Sequence, residues 1–460
     1  MNELRLPWLE FAILIPMLAS FITWRTHAAD KKRFVSIVAS GLTLLVTLAA
    51  WIDFESLFTY EAQDHWDGII AILGRQELLI DQLNAPLLSL TCLLFLLTFL
   101  ATPRVKYGIY SFSNGLILLA ITLAILSTKD QWPLIGLLAL QTLPLSWEVR
   151  GQGGSTRVFW VHMIVFILML IGGGWIYQIT SSPWWHGVAI SLWTIAVFIR
   201  SGCFPLHCWI SDMLIKASFG TSILFVTPMI GAYAAMRLIV PIAPDWAMRG
   251  IAFISLATAL YAACMTIVQN DARRFFCFLF LSQSSLVFVG LETSSSIGLA
   301  GALCVWMSVA LALTGLGLTL RCIESRTGPI SLLKYNGLYA AMPNFAGFFL
   351  ITGLSCIGFP CTLGFIGSEL LIDSAIEFSP WVGFIVVAST ALNGIGIMRA
   401  YFRIFTGIKY ESSIPISSMR AERIAILAIT ILLIGGGLVP QLIVNSRYKA
   451  AVEILEHRTK

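Results

Sequence analysis

Apolar runs long enough to cross a bilayer recur from one end of this chain to the other, and no other feature constrains its fold so strongly. A helix needs roughly 17–25 predominantly apolar residues to span the hydrocarbon core. Hydropathy marks about fourteen such runs, near residues 8–24, 34–52, 83–101, 109–127, 131–147, 158–178, 185–204, 218–240, 249–268, 274–292, 298–320, 342–372, 381–402 and 421–442. Inside lipid the backbone must satisfy its own hydrogen bonds, which leaves helices or closed barrels. Runs of this length select helices. The sequence therefore predicts an all-α polytopic membrane protein, with residues 1–460 forming one transmembrane domain. Composition agrees: 12% of the residues are charged, about half the 25% usual in soluble domains, and mean hydropathy is +0.85.

The net charge of +5 is no nucleic-acid signal, because the basic residues sit in short loops on alternate sides. One set holds RTHAADKKR, Arg104, Lys106, Arg150, Arg157, Lys216, Arg273, Arg274, Arg321, Arg326 and Lys334, then Arg399, Arg403, Lys409, Arg420 and Arg423. The other holds Asp53, Glu55, Glu61, Asp64, Asp67, Glu77 and Asp81, with Arg75, Lys129 and Arg249 as its basic residues. The positive-inside rule puts the first set in the cytoplasm and the 53–82 segment outside. An even number of crossings then puts both termini outside, against the grain of a basic tail carrying Arg447, Lys449, Arg458 and Lys460. MNELRLPWLE lacks the basic start of a cleaved signal, so the first helix is expected to stay. The nine cysteines form no CxxC pair; the closest, Cys203/Cys208 and Cys356/Cys361, read as buried apolar residues rather than thiolate ligands.

Most runs are uninterrupted and free of ionisable groups, and read as scaffold. GQGGSTR (151–157) lacks the Gly-Lys-Ser/Thr ending of a phosphate-cradling loop and reads as a connection between helices. Two regions, 198–219 and 357–377, combine breakers with charge, the breakers being Pro205, Pro360 and Gly364. Broken helices at membrane depth are tolerated where backbone lines a cavity or is buried in protein, and paired breaks point to an ion path. FIRSGCFPLHCWISD (198–212) carries Arg200, a fixed charge that can set a potential or pair with an acid but cannot relay a proton; snorkelling to an interface is the alternative. His207 either titrates near neutrality or bonds within the broken turn. After the second break, Glu369, Asp373 and Glu377 stack on one helix face. A carboxylate at bilayer depth is a functional candidate by default, which favours Glu369; Asp373 reads equally as a solvated helix end, and Glu377 more so. A polar surround at mid-membrane is expected for Arg200 and Glu369. Gln269, Asp271, Arg273 and Arg274 read as a loop anchor, and His162 and His186 as packing residues.

LLIDQLNAPLLSLT (78–91), RSGCFPLHCWISD (200–212), QNDARRFFCF (269–278), GFPCTLGFIGSELL (358–371) and MRAYFRIFTG (398–407) resemble, in order, the antiporter-like membrane subunits of NADH:quinone oxidoreductase (respiratory complex I). They are most similar to the chain M type. The same family holds subunits of cation/proton antiporters, membrane hydrogenases and inorganic-carbon pumps. The resemblance implies a fourteen-helix fold with two inverted five-helix repeats, each containing a broken helix. On that scheme residues 1–107 are N-terminal helices, 108–240 the first repeat, 241–405 the second, and 406–460 a C-terminal helix and tail. It further implies protons moving along a central line of lysines, a histidine and glutamates linked by water, in a bacterial plasma membrane. Glu369 falls on the family's late membrane glutamate, and Arg200 falls where its central lysine sits before the first break. The proton-path candidates are Glu369, Arg200, His207 and Asp373.

Other relay positions depart from the family. The early membrane glutamate has no counterpart, since QWPLIGLLALQTLPLSW offers only Gln141. A lysine is replaced by Met229 or its neighbours, and a histidine by Gln283. A relay needs groups whose pKa can be tuned, and of the expected line Glu369 is the plain survivor. The implied function is proton translocation coupled to electron transfer in partner membrane subunits, which would hold NADH, flavin, iron–sulfur clusters and quinone; this chain is expected to hold no cofactor. The rival readings are a non-conducting structural subunit, or a subunit of a cation/proton antiporter or a proton-driven inorganic-carbon pump.

Overall fold

The computed structural model describes residues 2–64, 78–108, 110–151, 155–292, 295–408 and 418–459. Asp67, Arg75, Glu77, the middle of GQGGSTR and Lys409 lie outside the described residues. Every apolar run of the sequence is helical. In order come α1 (Trp8–Arg25), α2 (Ala29–Ser56), α3 (Asn84–Leu100), α4 (Phe112–Leu126), α5 (Gln131–Leu140), α6 (Thr142–Gly151) and α7 (Arg157–Ile179). Next are α8 (Pro183–Ser201), α9 (Cys208–Lys216), α10 (Phe219–Val226), α11 (Ile230–Leu238), α12 (Asp245–Val268) and α13 (Ala272–Glu292). The last six are α14 (Ser296–Thr327), α15 (Pro343–Cys356), α16 (Leu363–Phe378), α17 (Pro380–Phe405), α18 (Arg420–Leu438) and α19 (Gln441–Thr459). Among the described residues nine helices, with Phe219–Leu238 counted as one, are long and apolar enough to cross a membrane.

The interior forms around α14. Its 32 residues reach roughly 48 Å at 1.5 Å per residue, and its apolar part is covered nearly all round, as are α10, α11 and α13. By contrast α1, α2, α7 and α18 bury one stripe and leave large apolar side chains outward, as lipid-facing helices do. Close approach depends on small residues, since hydrophobic burial does not drive helices together in lipid. Where α14 meets α16, a Cβ on Gly301 would lie 2.8 Å from Leu370 Cβ, and one on Gly367 2.8 Å from the Val305 backbone nitrogen.

Both expected breaks are present, at 202–207 between α8 and α9 and at 357–362 between α15 and α16. Gly364, read from sequence as a breaker, lies instead inside α16: the turn is made by Gly358 and Cys361, at φ 71° and 67°. The role of Gly364 is close approach, with a Cβ there only 2.4 Å from the Ser355 carbonyl oxygen. Two further interruptions split runs that read as continuous. One separates α5 from α6 at Gln141, where Pro144 cannot supply the N–H that Leu140 would receive. The other separates α10 from α11 at Pro228–Met229, with Met229 left-handed at φ 51°.

A small sheet adds to the expected all-α fold. β1 (Asn2–Glu3) pairs in parallel with β2 (Glu61–Gln63), which pairs antiparallel with β3 (Leu79–Asp81). The acidic residues of this end serve as helix caps. Asp64 accepts from the Leu9 and Glu10 amides at 2.7 and 3.2 Å, and Asp81 from those of Leu83 and Asn84 at 3.1 and 2.9 Å, satisfying first-turn donors that have no helical partner. The polar α19 straps the same end: Arg447 donates to the Gln82 and Leu83 carbonyls at 2.7 and 3.0 Å, and Arg458 pairs with Asp245 at 2.6 Å. Both termini and the acidic segment thus share one end of the bundle, as an even number of crossings requires.

Candidate functional site

The first break brings an arginine into the interior. α8 stops at Gly202, whose φ of 73° is open to glycine at no steric cost, and whose missing Cβ would sit 2.3 Å from Ile210 Cδ1. Two residues before Gly202, Arg200 is 3% exposed. Its Nη2 donates to Gln141 Oε1 at 2.9 Å and to the Phe225 carbonyl at 3.3 Å, and the guanidinium lies 3.9 Å from the Phe225 ring centroid. The sequence fold explains both acceptors. Gln141 Nε2 donates to Thr122 Oγ1 at 3.0 Å, which fixes the amide with its oxygen toward Arg200. The Phe225 carbonyl is available because Met229, four residues on, turns its amide to Val226 instead. No carboxylate among the described residues lies in ion-pair range of Arg200. Its charge is met by an amide, a carbonyl dipole and an aromatic face.

His207 lies apart from this group. It is 9% exposed and sits among Phe204, Tyr261 and Phe278 at ring separations of 5.5–6.0 Å, with Nδ1 unbonded. Pro205 occupies the turn between α8 and α9, and Pro360 the turn before α16.

Glu369 and Asp373 are on the outer surface of the chain, as is Glu377. Within this chain the Arg200 guanidinium meets polar acceptors, whereas Glu369 is exposed. The cause is the packing of α16: at 100° per residue, Glu369 points about 200° away from Gly367, which faces α14, and from Leu371, whose side chain meets Gly290 of α13. The glycines that allow close packing also turn the carboxylate stripe outward.

Sequence reasoning missed three buried polar groups. Asn393 on α17 donates to Ser282 Oγ at 2.7 Å, beside Gln283 on α13, whose Nε2 is unbonded. Glu148, at the end of α6, is 4% exposed and accepts from Thr221 Oγ1 at 2.9 Å. Arg321 of α14 is buried with its guanidinium 4.7 Å from the Tyr110 ring centroid. Arg321 reads from sequence as a loop charge because it ends an apolar run; the packing of neighbouring segments over it gives the burial.

This arrangement matches known proteins. Residues 134–393 match the family described as NADH:quinone oxidoreductase/Mrp antiporter, transmembrane. NADH-quinone oxidoreductase subunit M of Escherichia coli (strain K12) is 24% identical over 494 residues, covering 97% of this chain and 96% of the relative. The subunit M of Rickettsia prowazekii is 22% identical over 496 residues, covering 96% and 97%. Among solved structures, a chain of respiratory complex I from Thermus thermophilus with bound NADH superposes with a TM-score of 0.84 at 19% identity, covering 98% of this chain and 99% of that one. A chain of the Mrp complex from a Dietzia species gives 0.85 at 19% identity, with 98% and 97% covered. The protein belongs to the NADH:quinone oxidoreductase/Mrp antiporter transmembrane family.

Proposed function

We propose that this chain is the chain M-type antiporter-like membrane subunit of a complex I-like NADH:quinone oxidoreductase, moving protons in step with electron transfer carried out in partner subunits. The observation that carries this reading is the near end-to-end alignment with subunit M relatives, 97% of this chain against 96% of one of them. NADH, flavin, iron–sulfur clusters and quinone belong to those partners. The path candidates take distinct roles. Arg200, permanently charged, tunes the potential of the interior and carries no proton itself. Glu369 and Asp373, on the outward face of α16, exchange protons across a contact with a neighbouring subunit. His207 in its aromatic surround acts as a gate or a turn support. The two-repeat division of the chain, 108–240 and 241–405, belongs to the same proposal.

One observation favours a second reading, a non-conducting subunit that seals and braces the membrane arm: the Arg200–Gln141 pair contains no titratable member. Two experiments separate the readings. Purification from native membrane identifies the neighbours: quinone-reductase subunits support both, whereas small antiporter subunits or a zinc-dependent soluble partner overturn both in favour of an antiporter or carbon pump. Proton uptake by the reconstituted assembly, wild type beside Glu369→Gln, then decides conduction. Loss of this subunit's share of pumping with assembly intact supports the first reading; equal flux supports the second.

A further inference from the structure

At the end of the bundle that holds both termini, a groove of about 590 Å³ lies between the last turns of α2 and the start of α19. Its size is within the roughly 300–1,000 Å³ of small-molecule sites. Leu48, Trp51 and Ile52 follow one face of α2 along it, Leu442 of α19 lines it opposite, and Met307 of α14 reaches it from the interior. Ile52 and Leu442 are 72% and 76% exposed, so the apolar part opens sideways on a lipid-facing surface. The remainder is polar. Asn445 and Lys449, one turn apart on α19, and Glu55, one turn beyond Trp51 on α2, join the lining. Lys449 Nζ and Glu55 Oε2 are 3.5 Å apart with both side chains open to solvent, and so exposed a pair holds itself closed only weakly. Arg447 lines the groove too. Its Nη atoms donate to the Leu83 and Gln82 carbonyls, while its buried Nε has no acceptor among the described residues.

A ligand that fits this groove is apolar over most of its length and carries both signs of charge at one end. An anionic group answers Lys449 and Arg447, and a cationic one answers Glu55. We propose that the groove binds a phospholipid of the outer leaflet with a phosphoethanolamine headgroup. One acyl chain lies along Leu48, Ile52 and Met307. The phosphodiester accepts from Lys449 and from Arg447 Nε, charge-assisted bonds that are stronger than neutral ones, and the primary ammonium donates to Glu55. Trp51 sits between the two parts, at the headgroup level where tryptophan is enriched. Other headgroups fit less well. Phosphatidylglycerol brings no cation to Glu55, and phosphatidylcholine brings a quaternary ammonium with no N–H to donate. The bound lipid bridges α2 and α19, which makes it part of the strap rather than of the bulk bilayer.

The test is native mass spectrometry of the full chain released from nanodiscs holding equal amounts of phosphatidylethanolamine, phosphatidylglycerol and phosphatidylcholine with identical acyl chains. The chain is expected to retain phosphatidylethanolamine at least fivefold over either of the others. Glu55→Gln and Lys449→Gln, both at solvent-accessible positions, should each erase that preference. Leu48→Trp fills the apolar part and should lower retention of all three lipids at least threefold. A photo-crosslinker at position 48, in the native membrane with the assembly intact, should capture phospholipid. Equal retention of the three lipids by the wild type overturns the headgroup assignment, as does a preference that survives both charge substitutions. A cross-link to a polypeptide in place of lipid overturns lipid occupancy of the groove. Lipid retention is read on the chain itself, so its outcome is separate from that of the proposed function.

Discussion

The strap formed by α19 should loosen as pH rises, through one carboxylate. Glu453 is 6% exposed, and its carboxylate lies within 4.8 Å of those of Glu61 and Asp81. Lys129 is paired with Glu61 and Arg237 with Asp81, and Arg447, the third cation near Glu453, is hydrogen-bonded to the Gln82 and Leu83 carbonyls. Burial first, then the charges of Asp81 and Glu61, push its carboxyl up from 4.5 to about 8, against the opposing pull of Arg237 and Lys129. A released strap returns Glu453 to water and to an ordinary carboxylate value.

The sign follows from linkage. A group bound more tightly to its proton in the docked state stabilises docking fully below the released-state value. That contribution is lost as pH rises through the docked value. Between about 4.5 and 8, therefore, each unit of rising pH weakens docking by about 1.4 kcal/mol, a factor of about 10 in the opening equilibrium. Glu453→Gln keeps the shape and a donor but has no proton to lose, so its docking should be flat over the same window. Amide hydrogen exchange across α19, in nanodiscs from pH 5.5 to 7.5, measures this as the ratio of wild-type to variant rates, which cancels the intrinsic pH dependence of exchange. A ratio that climbs steeply with pH is expected. A flat ratio would mean that Glu453 ionises alike in both states, and the argument from burial would fail.

Three further outcomes follow from the interior. Gln141→Leu removes the side-chain acceptor of the buried guanidinium and should cost about 1.5–3 kcal/mol, the range for hydrogen bonds to charged groups; thermal unfolding in detergent measures it, and Thr122→Val, which only frees the amide to rotate, should cost less. Arg200→Lys restores a group that can titrate in the interior and should maintain or raise proton uptake of the coupled assembly; a clear loss would mean that the planar fork of arginine is needed for packing. Gly202→Ala forces a side chain into left-handed backbone and into Ile210, so it should destabilise by more than the roughly 1 kcal/mol of a simple glycine exchange, read as a lowered unfolding temperature with assembly tested in parallel.

The membrane fold was legible because lipid leaves the backbone one local solution. Each apolar run had to be helical wherever its neighbours lay, and the alternation of basic and acidic loops gave the ends of the bundle. The extra breaks were less visible, since Pro144 and Pro228 sit in runs whose hydropathy never falls. Their effect is local to one carbonyl each. The sheet and the α19 strap join residues far apart in sequence, Arg447 with Gln82 and Asp245 with Arg458, and no periodicity reports such pairings.

The site was legible as residue types and not as partners. Arg200 was visible as a charge where only a buried one is tolerable, and Gln141 as the one amide inside its run. That they meet depends on where α8 stops and on Thr122 holding the amide with its oxygen toward the guanidinium. Glu369 shows the opposite case. Its depth in an apolar run suggested an inward side chain, yet the glycines before it commit that side of α16 to α14, and a helix has only one face opposite. The consequence bears on mechanism. Within this chain the interior charge at the first break cannot be neutralised by losing a proton, and the carboxylate at the second break is presented to whatever packs outside. On the proposed function, proton exchange through Glu369 needs a neighbour packed against α16, so the isolated chain in vesicles should conduct less than the same chain in its assembly.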